Sequence, residues 1–183
     1  MRNVLRRVAY GVLGTGMIVT MAAGATTAAS AAVAGHHPTV TKSDAVKWIT
    51  VKENAVGSRV RTIQYLLNEH GYSVPVTGNF LSQTKAQVKA FQKKEKLKDD
   101  GVVGDKTWDA LVLDLSPGST HKNAVEAVQS YLNRAYGASL KVDGKYNSAT
   151  EAAVKKFQTK HDLKVKSGKV VLETWKALVF YAK

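Results

Sequence analysis

Apolar residues recur along this chain at three- and four-residue spacing, the pattern of helices buried on one face. Val60, Ile63 and Leu67 mark the first stripe, and Gly71 follows as a left-handed terminator. A second runs from Ser82 to about Lys96, with Val88 and Phe91 inward and Lys85, Lys89, Lys93 and Lys96 left for solvent. A short third begins near Asp105 and buries Trp108 with Leu111. The same three stripes then return. Val125, Val128 and Leu132 end at Gly137, the next helix opens on Ser148-Ala149-Thr150-Glu151, read as a capping box, and the last begins near Leu172 and buries Trp175 with Leu178. Gly-containing turns separate the stripes at Thr77-Gly78, Asp100-Gly101, Asp143-Gly144 and Ser167-Gly168. Only Ser139–Val142 and Lys169–Val171 suggest extended chain, and they could pair briefly.

The recurrence is a duplication. Ile63-Gln64-Tyr65-Leu66-Leu67-Asn68 matches Val128-Gln129-Ser130-Tyr131-Leu132-Asn133 at a shift of 65. Val88-Lys89-Ala90-Phe91-Gln92 matches Val154-Lys155-Lys156-Phe157-Gln158 at 66, and Thr107-Trp108 with Ala110-Leu111-Val112 matches Thr174-Trp175 with Ala177-Leu178-Val179 at 67. Shifts that grow one residue at a time place the insertions in connections, where they are tolerated.

The amino-terminal segment follows a different logic. Arg2, Arg6 and Arg7 precede an uncharged run from Val8 to Ala34 that fades from Val, Leu and Ile into Ala, Thr and Ser, the grammar of a cleaved secretory signal. Small residues fit cleavage after Ala31 or after Ala34, and the second is favoured, giving a start at Gly35. The apolar part is shorter than the roughly 20 residues a membrane span needs, so the cleaved chain is expected not to span a membrane. Cleavage leaves 24 basic against 14 acidic residues, a charge of +10 instead of +13. Such a charge attracts polyanions without choosing among them. Export argues against nucleic acid, as does the lack of a recognition-helix pattern.

Candidate chemistry is sparse. With no cysteine, the 183 residues hold no disulfide, thiolate nucleophile or cysteine-ligated metal. The histidines are His36, His37, His70, His121 and His161, scattered over the linkers and helix ends, and none joins a catalytic pattern. Asp99-Asp100 reads as a turn former, and no Gly-x-Ser-x-Gly elbow is present. No catalytic residue, resident metal or cofactor is assigned. Gly35-His36-His37 reads as the start of a linker, with a four-nitrogen site for Cu(II) or Ni(II) at a free Gly35 as the sharper alternative.

The order Val60, Gln64, Leu67, Gly71-Tyr72, Gly78, Thr84, Val88, Phe91-Gln92, Leu97, Asp100-Gly101-Val102-Val103-Gly104, Thr107-Trp108 and Leu111 resembles the three-helix peptidoglycan-binding domain often appended to bacterial cell-wall hydrolases. The resemblance covers two copies, with Trp48-Ile49-Thr50-Val51-Lys52 as a lead-in to the first. It implies an all-α chain of two tandem three-helix domains after a cleaved signal peptide. The expected boundaries are 1–34 for the signal, 35–47 for a linker, 48–115 for domain 1, 116–123 for a linker and 124–183 for domain 2. Thr77 stands where the family usually has Asp, Leu81 and Asn147 where a later Gly is typical, and Ser167-Gly168 replaces the second Asp-Gly.

The implied function is non-catalytic attachment to bacterial peptidoglycan outside the cell, with anionic wall polymers as a secondary partner. A wall ligand offers sugar faces, hydroxyls and carboxylates, so a groove wants aromatic rings, hydrogen bonders and cations. Tyr72, Thr77, Gly78, Asn79 and Phe80 supply such a set in the first copy, and Asp143, Gly144, Lys145, Tyr146 and Asn147 in the second. For Phe80 and Tyr146 the competing reading is a plug beneath the next helix. The competing function is a protein-binding inhibitor or adaptor built on a diverged scaffold.

Overall fold

The wide apolar faces of two helices hold the chain together. In the computed structural model, which describes residues 46–182, these are α1 (Ser58–Glu69) and α4 (Lys122–Tyr136). The others are α2 (Ser82–Lys94), α3 (Asp105–Leu111), α5 (Ser148–Lys160) and α6 (Leu172–Tyr181). The expected signal and the His36-His37 segment lie outside the described residues. On α1, Val60, Thr62, Ile63, Gln64, Leu66 and Leu67 are buried, an arc of roughly 200° at 3.6 residues per turn. On α2 only Thr84, Val88, Phe91 and Gln92 are buried, a stripe of roughly 100°. The difference has a structural cause: α1 and α4 share the most extensive helix–helix contact, so each packs on its own repeat and on its counterpart. The core is therefore continuous through both copies, which belong to one compact unit.

Polar contacts reinforce this junction. The Glu69 carboxylate at the end of α1 accepts the Asn123 and Ala124 amides at 2.8 and 3.4 Å and lies 3.0 Å from Nδ1 of His121. An anion is thus supplied to the start of α4, whose own N-cap residue makes no side-chain cap. At the other end of α1, Arg59 donates to the Val179 and Phe180 carbonyls at 2.8 and 3.1 Å, placing a cation on the last turn of α6.

The segments leading into each repeat are also equivalent. Trp108 Nε1 donates to the Ile49 carbonyl at 2.9 Å, and Val51 bridges to Val103. Trp175 Nε1 donates to the Leu113 carbonyl at 2.7 Å, and Leu115 bridges to Val170. Leu113 and Leu115 therefore do for the second repeat what Ile49 and Val51 do for the first. A boundary after Leu115 cuts through this lead-in, and the segment 116–123 is a connection inside one unit. Val170 pairs with Leu115 and not with Ser139–Val142, because the tryptophan of α6 anchors the lead-in beside it. Among the described residues there are isolated bridges and no named strand.

Every step between consecutive helices within a repeat is held by a buried glutamine. Gln64 Nε2 donates to the Asn79 carbonyl and Thr84 Oγ1 at 3.0 and 3.2 Å, while its Oε1 accepts the Gly78 amide at 2.8 Å. Gln92 treats Val102, Thr107 and Gly101 in the same way at 2.8, 3.1 and 2.9 Å. In the second repeat Gln129 bonds Lys145, Thr150 and Gly144 at 3.0, 3.1 and 3.1 Å, and Gln158 bonds Lys169, Thr174 and Gly168 at 2.6, 3.0 and 2.9 Å. Among the described residues, every buried polar side chain except Thr62 belongs to one of these four clamps.

The residue before each glycine closes the turn from outside. Thr77 Oγ1, Asp100 Oδ1, Asp143 Oδ1 and Ser167 Oγ accept the amides of Asn79, Val102, Lys145 and Lys169 at 3.1, 2.9, 3.0 and 3.3 Å. Thr77 and Ser167 thus replace Asp without loss of the turn, since a hydroxyl oxygen can accept the same bond.

Two substitutions separate clamp from turn strain. Gln129→Leu leaves the Asp143 and Gly144 amides without their acceptor, and we expect a loss of about 2–4 kcal/mol by denaturant unfolding. A Cβ on Gly144, where φ is +70°, would meet Lys122 Cγ at 2.3 Å and its carbonyl at 2.9 Å, whereas Gly118, at φ +82°, has nothing within 4 Å. Gly118→Ala should cost only the left-handed strain of about 1–2 kcal/mol, and Gly144→Ala distinctly more. Equal costs would show that the close approach at Gly144 is unimportant.

Candidate functional site

The clamps decide what the turns can offer a ligand. Gly78 and Gly144 are buried with their amides already bonded to Gln64 and Gln129. Thr77 and Asp143 hold turn amides, and the Lys145 N–H keeps the Asp143 carboxyl below the usual carboxylate range. Phe80 has no exposed surface and Tyr146 only 4%, so both rings are plugs beneath the following helix. The Tyr146 hydroxyl donates to the Gly168 carbonyl, tying two turns of the second repeat together, and burial pushes its phenol pKa up. Asn79 and Lys145 keep exposed side chains, while their carbonyls are taken by the glutamines.

Asn147 has a structural task that the sequence reading assigned to its neighbour. It is the N-cap of α5, its Oδ1 accepting the Thr150 amide at 3.0 Å, and Ser148 is the first helical residue. The expected capping box is therefore not formed, and a simple Asn cap stands one residue before it. Leu81 occupies the same place before α2 and makes no side-chain cap.

Tyr72 belongs to a different arrangement, present in both copies. Its ring meets Phe91 edge-on at 5.9 Å, with Lys94 Nζ 6.0 Å from its centroid. In the second repeat Tyr136 meets Phe157 edge-on at 5.3 Å, with Lys160 Nζ 4.8 Å from its centroid. Sequence reasoning missed Tyr136 because Tyr72 follows its terminal glycine and Tyr136 precedes Gly137. The one-residue insertion lies there, between Asn133 and Leu140, which are tied as Asn68 and Val74 are. The available signal was Lys160, which stands 66 positions after Lys94.

Beside Tyr136 lies a groove of about 590 Å³ between the 137–141 loop and α5, a size typical of small-molecule sites. Ala149 and Ala153 line it together with Leu140, and Lys141, Lys156 and Lys160 are at its edge. Asn147 is the one residue of the expected set that lines this groove.

The histidines have structural partners. His70 Nε2 is 2.9 Å from the Leu111 carbonyl, and His121 faces Glu69. His161 stacks on Tyr181 at 3.8 Å, and its Nε2 lies 2.6 Å from the Tyr136 hydroxyl. Burial, with the Lys160 charge, pushes its pKa down to about 4. Among the described residues no group of three or more His, Cys, Asp or Glu could hold a metal ion.

The fold and site define a tandem of three-helix repeats fused through α1 and α4, with a ligand-sized groove on the second. Residues 56–111 and 121–178 each match the family described as "Putative peptidoglycan binding domain", and the chain belongs to that family. An N-acetylmuramoyl-L-alanine amidase, CwlL, of Bacillus licheniformis is 30% identical over 62% of this chain and 41% of its own length. A crystal structure of a peptidoglycan-binding protein from Clostridioides difficile, in complex with glutamine hydroxamate, is 36% identical over 34% of this chain and 40% of that one, with a TM-score of 0.34. A fused Zn-dependent amidase/peptidase/peptidoglycan-binding domain-containing protein from Clostridium acetobutylicum is 28% identical over 50% of this chain and 45% of that one, with a TM-score of 0.35. The chain thus spans less than half the length of each of these relatives.

Two predictions follow from this geometry. Asn147→Ala should cost about 1 kcal/mol, and Leu81→Asn should gain a comparable amount by supplying the missing cap; no change in either melting curve would refute the cap assignment. His161, depressed below its ordinary 6.5, binds fewer protons folded than unfolded, so its contribution is present above 6.5 and lost as pH falls toward about 4. The melting temperature should drop between pH 6.5 and 5, and His161→Phe should flatten that drop. An unaltered pH slope in the variant would contradict it.

Proposed function

We propose that this protein is exported and attaches non-catalytically to bacterial cell-wall peptidoglycan. The observation that carries the reading is the pair of peptidoglycan-binding family copies, which together occupy most of the described residues. Several features support it further. The clamps commit the repeated glutamines and turn residues to folding, and the groove on the second repeat offers an aromatic wall and cations suited to recognition. No helix among the described residues is long and apolar enough to cross a membrane. The basic balance of the chain favours encounter with an anionic wall.

Because the repeats share one core, they engage a wall polymer as one body. The fixed placement replaces the flexible two-site avidity that separate domains on a linker would give.

Co-sedimentation with purified sacculi tests the proposal. The protein cleaved after Ala34 should pellet with sacculi and release no soluble fragments. Retention should persist at about 0.3 M salt, where the screening length is about 5–6 Å and purely surface attraction is weak. Failure to pellet, or release of muropeptides, would overturn the reading.

A further inference from the structure

The two repeats share their clamps and diverge beside the tyrosine, and the divergence is chemical. On α5 the groove is lined by Ala149 and Ala153, where α2 carries the longer Gln83 and Gln87. Lys156 replaces Ala90, and Lys141 stands where the first repeat has Pro75. Small side chains open a groove in the second repeat, and longer, more basic ones are placed around its rim. The lining of this groove includes no Asp or Glu. Lys156 and Lys160 are exposed, lie one turn apart on α5 and make no ion pair among the described residues. The Lys160 ammonium is held over the Tyr136 ring, and the Tyr136 hydroxyl is fixed by His161. Ala149 and Ala153 lie on the same stripe of α5 as these lysines and, with Leu140 of the facing loop, give the groove an apolar surface beside the cations.

We propose that this groove is a seat for a carboxylate-bearing peptide on an acylated sugar, with Lys156 and Lys160 holding the carboxylate. Methyl groups of alanyl or acetyl substituents rest on the alanine floor. A polyol phosphate would satisfy the lysines and leave that floor uncovered, so the apolar surface selects the peptide. The first repeat lacks this seat, since Gln83 and Gln87 occupy the equivalent helix positions and one rim lysine is absent. This inference rests on the wall-binding reading for the source of its ligand, and the test separates the two.

The probe is N-acetylmuramyl-L-alanyl-D-isoglutamine, titrated into the full mature protein while backbone amide resonances are followed. Resonances of residues 137–141 and 149–160 should move, and those of 83–94 should stay. N-acetylglucosamine, which lacks the carboxylate, should leave all of them in place. Ala153→Gln installs the side chain that α2 carries at the same helical position, so the fold should tolerate it. This variant, and separately Lys156→Ala with Lys160→Ala, should weaken binding at least roughly tenfold, as expected for losing a charge-assisted bond or its supporting surface. Unmoved groove resonances, wild-type affinity in the lysine variant, or tighter binding of glycerol phosphate than of the dipeptide would each overturn the proposal. Should sacculi retain the protein while the groove stays silent, wall attachment stands through another surface and only this inference fails. If the groove binds the dipeptide and sacculi do not retain the protein, the seat stands and the wall reading falls.

Discussion

A side-chain amide buried at each helix-to-helix step within a repeat is the constraint on which the fold depends. Small helical repeats have little apolar core, and a tight turn buried against a helix leaves backbone amides and carbonyls without water. Gln64, Gln92, Gln129 and Gln158 each offer a donor pair and an acceptor on one rigid group, satisfying a glycine amide, a carbonyl and the threonine of the next helix. Removing such a group strands several partners together, which is why one polar residue can matter as much as a large apolar one.

Much of this architecture was legible in the sequence. Heptad-like stripes such as Val60, Ile63 and Leu67 placed all six helices, and the growing shift between copies placed the insertions in turns. The extra burial of Leu66 on α1 and Tyr131 on α4 was not visible as an interface, because a wide apolar face does not say what it packs against. The same gap hid the lead-in role of Leu113 and Leu115, which is defined by a tryptophan far along the chain. Asn147 was misread for a local reason: Ser148 and Glu151 also satisfy a capping pattern, and only the helix start decides between two adjacent caps.

The candidate site was less legible, and duplication explains why. Matching residues in two copies draw the eye to Thr77-Gly78 and Asp143-Gly144, yet both copies must solve the same folding problem, so repetition marks scaffolding as readily as binding. Phe80 and Tyr146 behave accordingly, one wholly apolar and buried, the other spending its hydroxyl on Gly168. The groove arises where the copies differ, at Ala149, Ala153 and Lys156, and no motif search rewards a difference. In each copy the tyrosine comes from a segment distant in sequence from the phenylalanine and lysine, and in the second an insertion shifts the tyrosine out of alignment.

Amide hydrogen exchange at the four clamped glycines tests most directly whether these turns are scaffolding. Gly78, Gly101, Gly144 and Gly168 should exchange as slowly as the buried amides of α1 and α4, opening only with global unfolding, although each sits in a turn. Exchange at the rate of a freely solvated amide would contradict the account, returning the turns to the surface as groups free to meet a ligand.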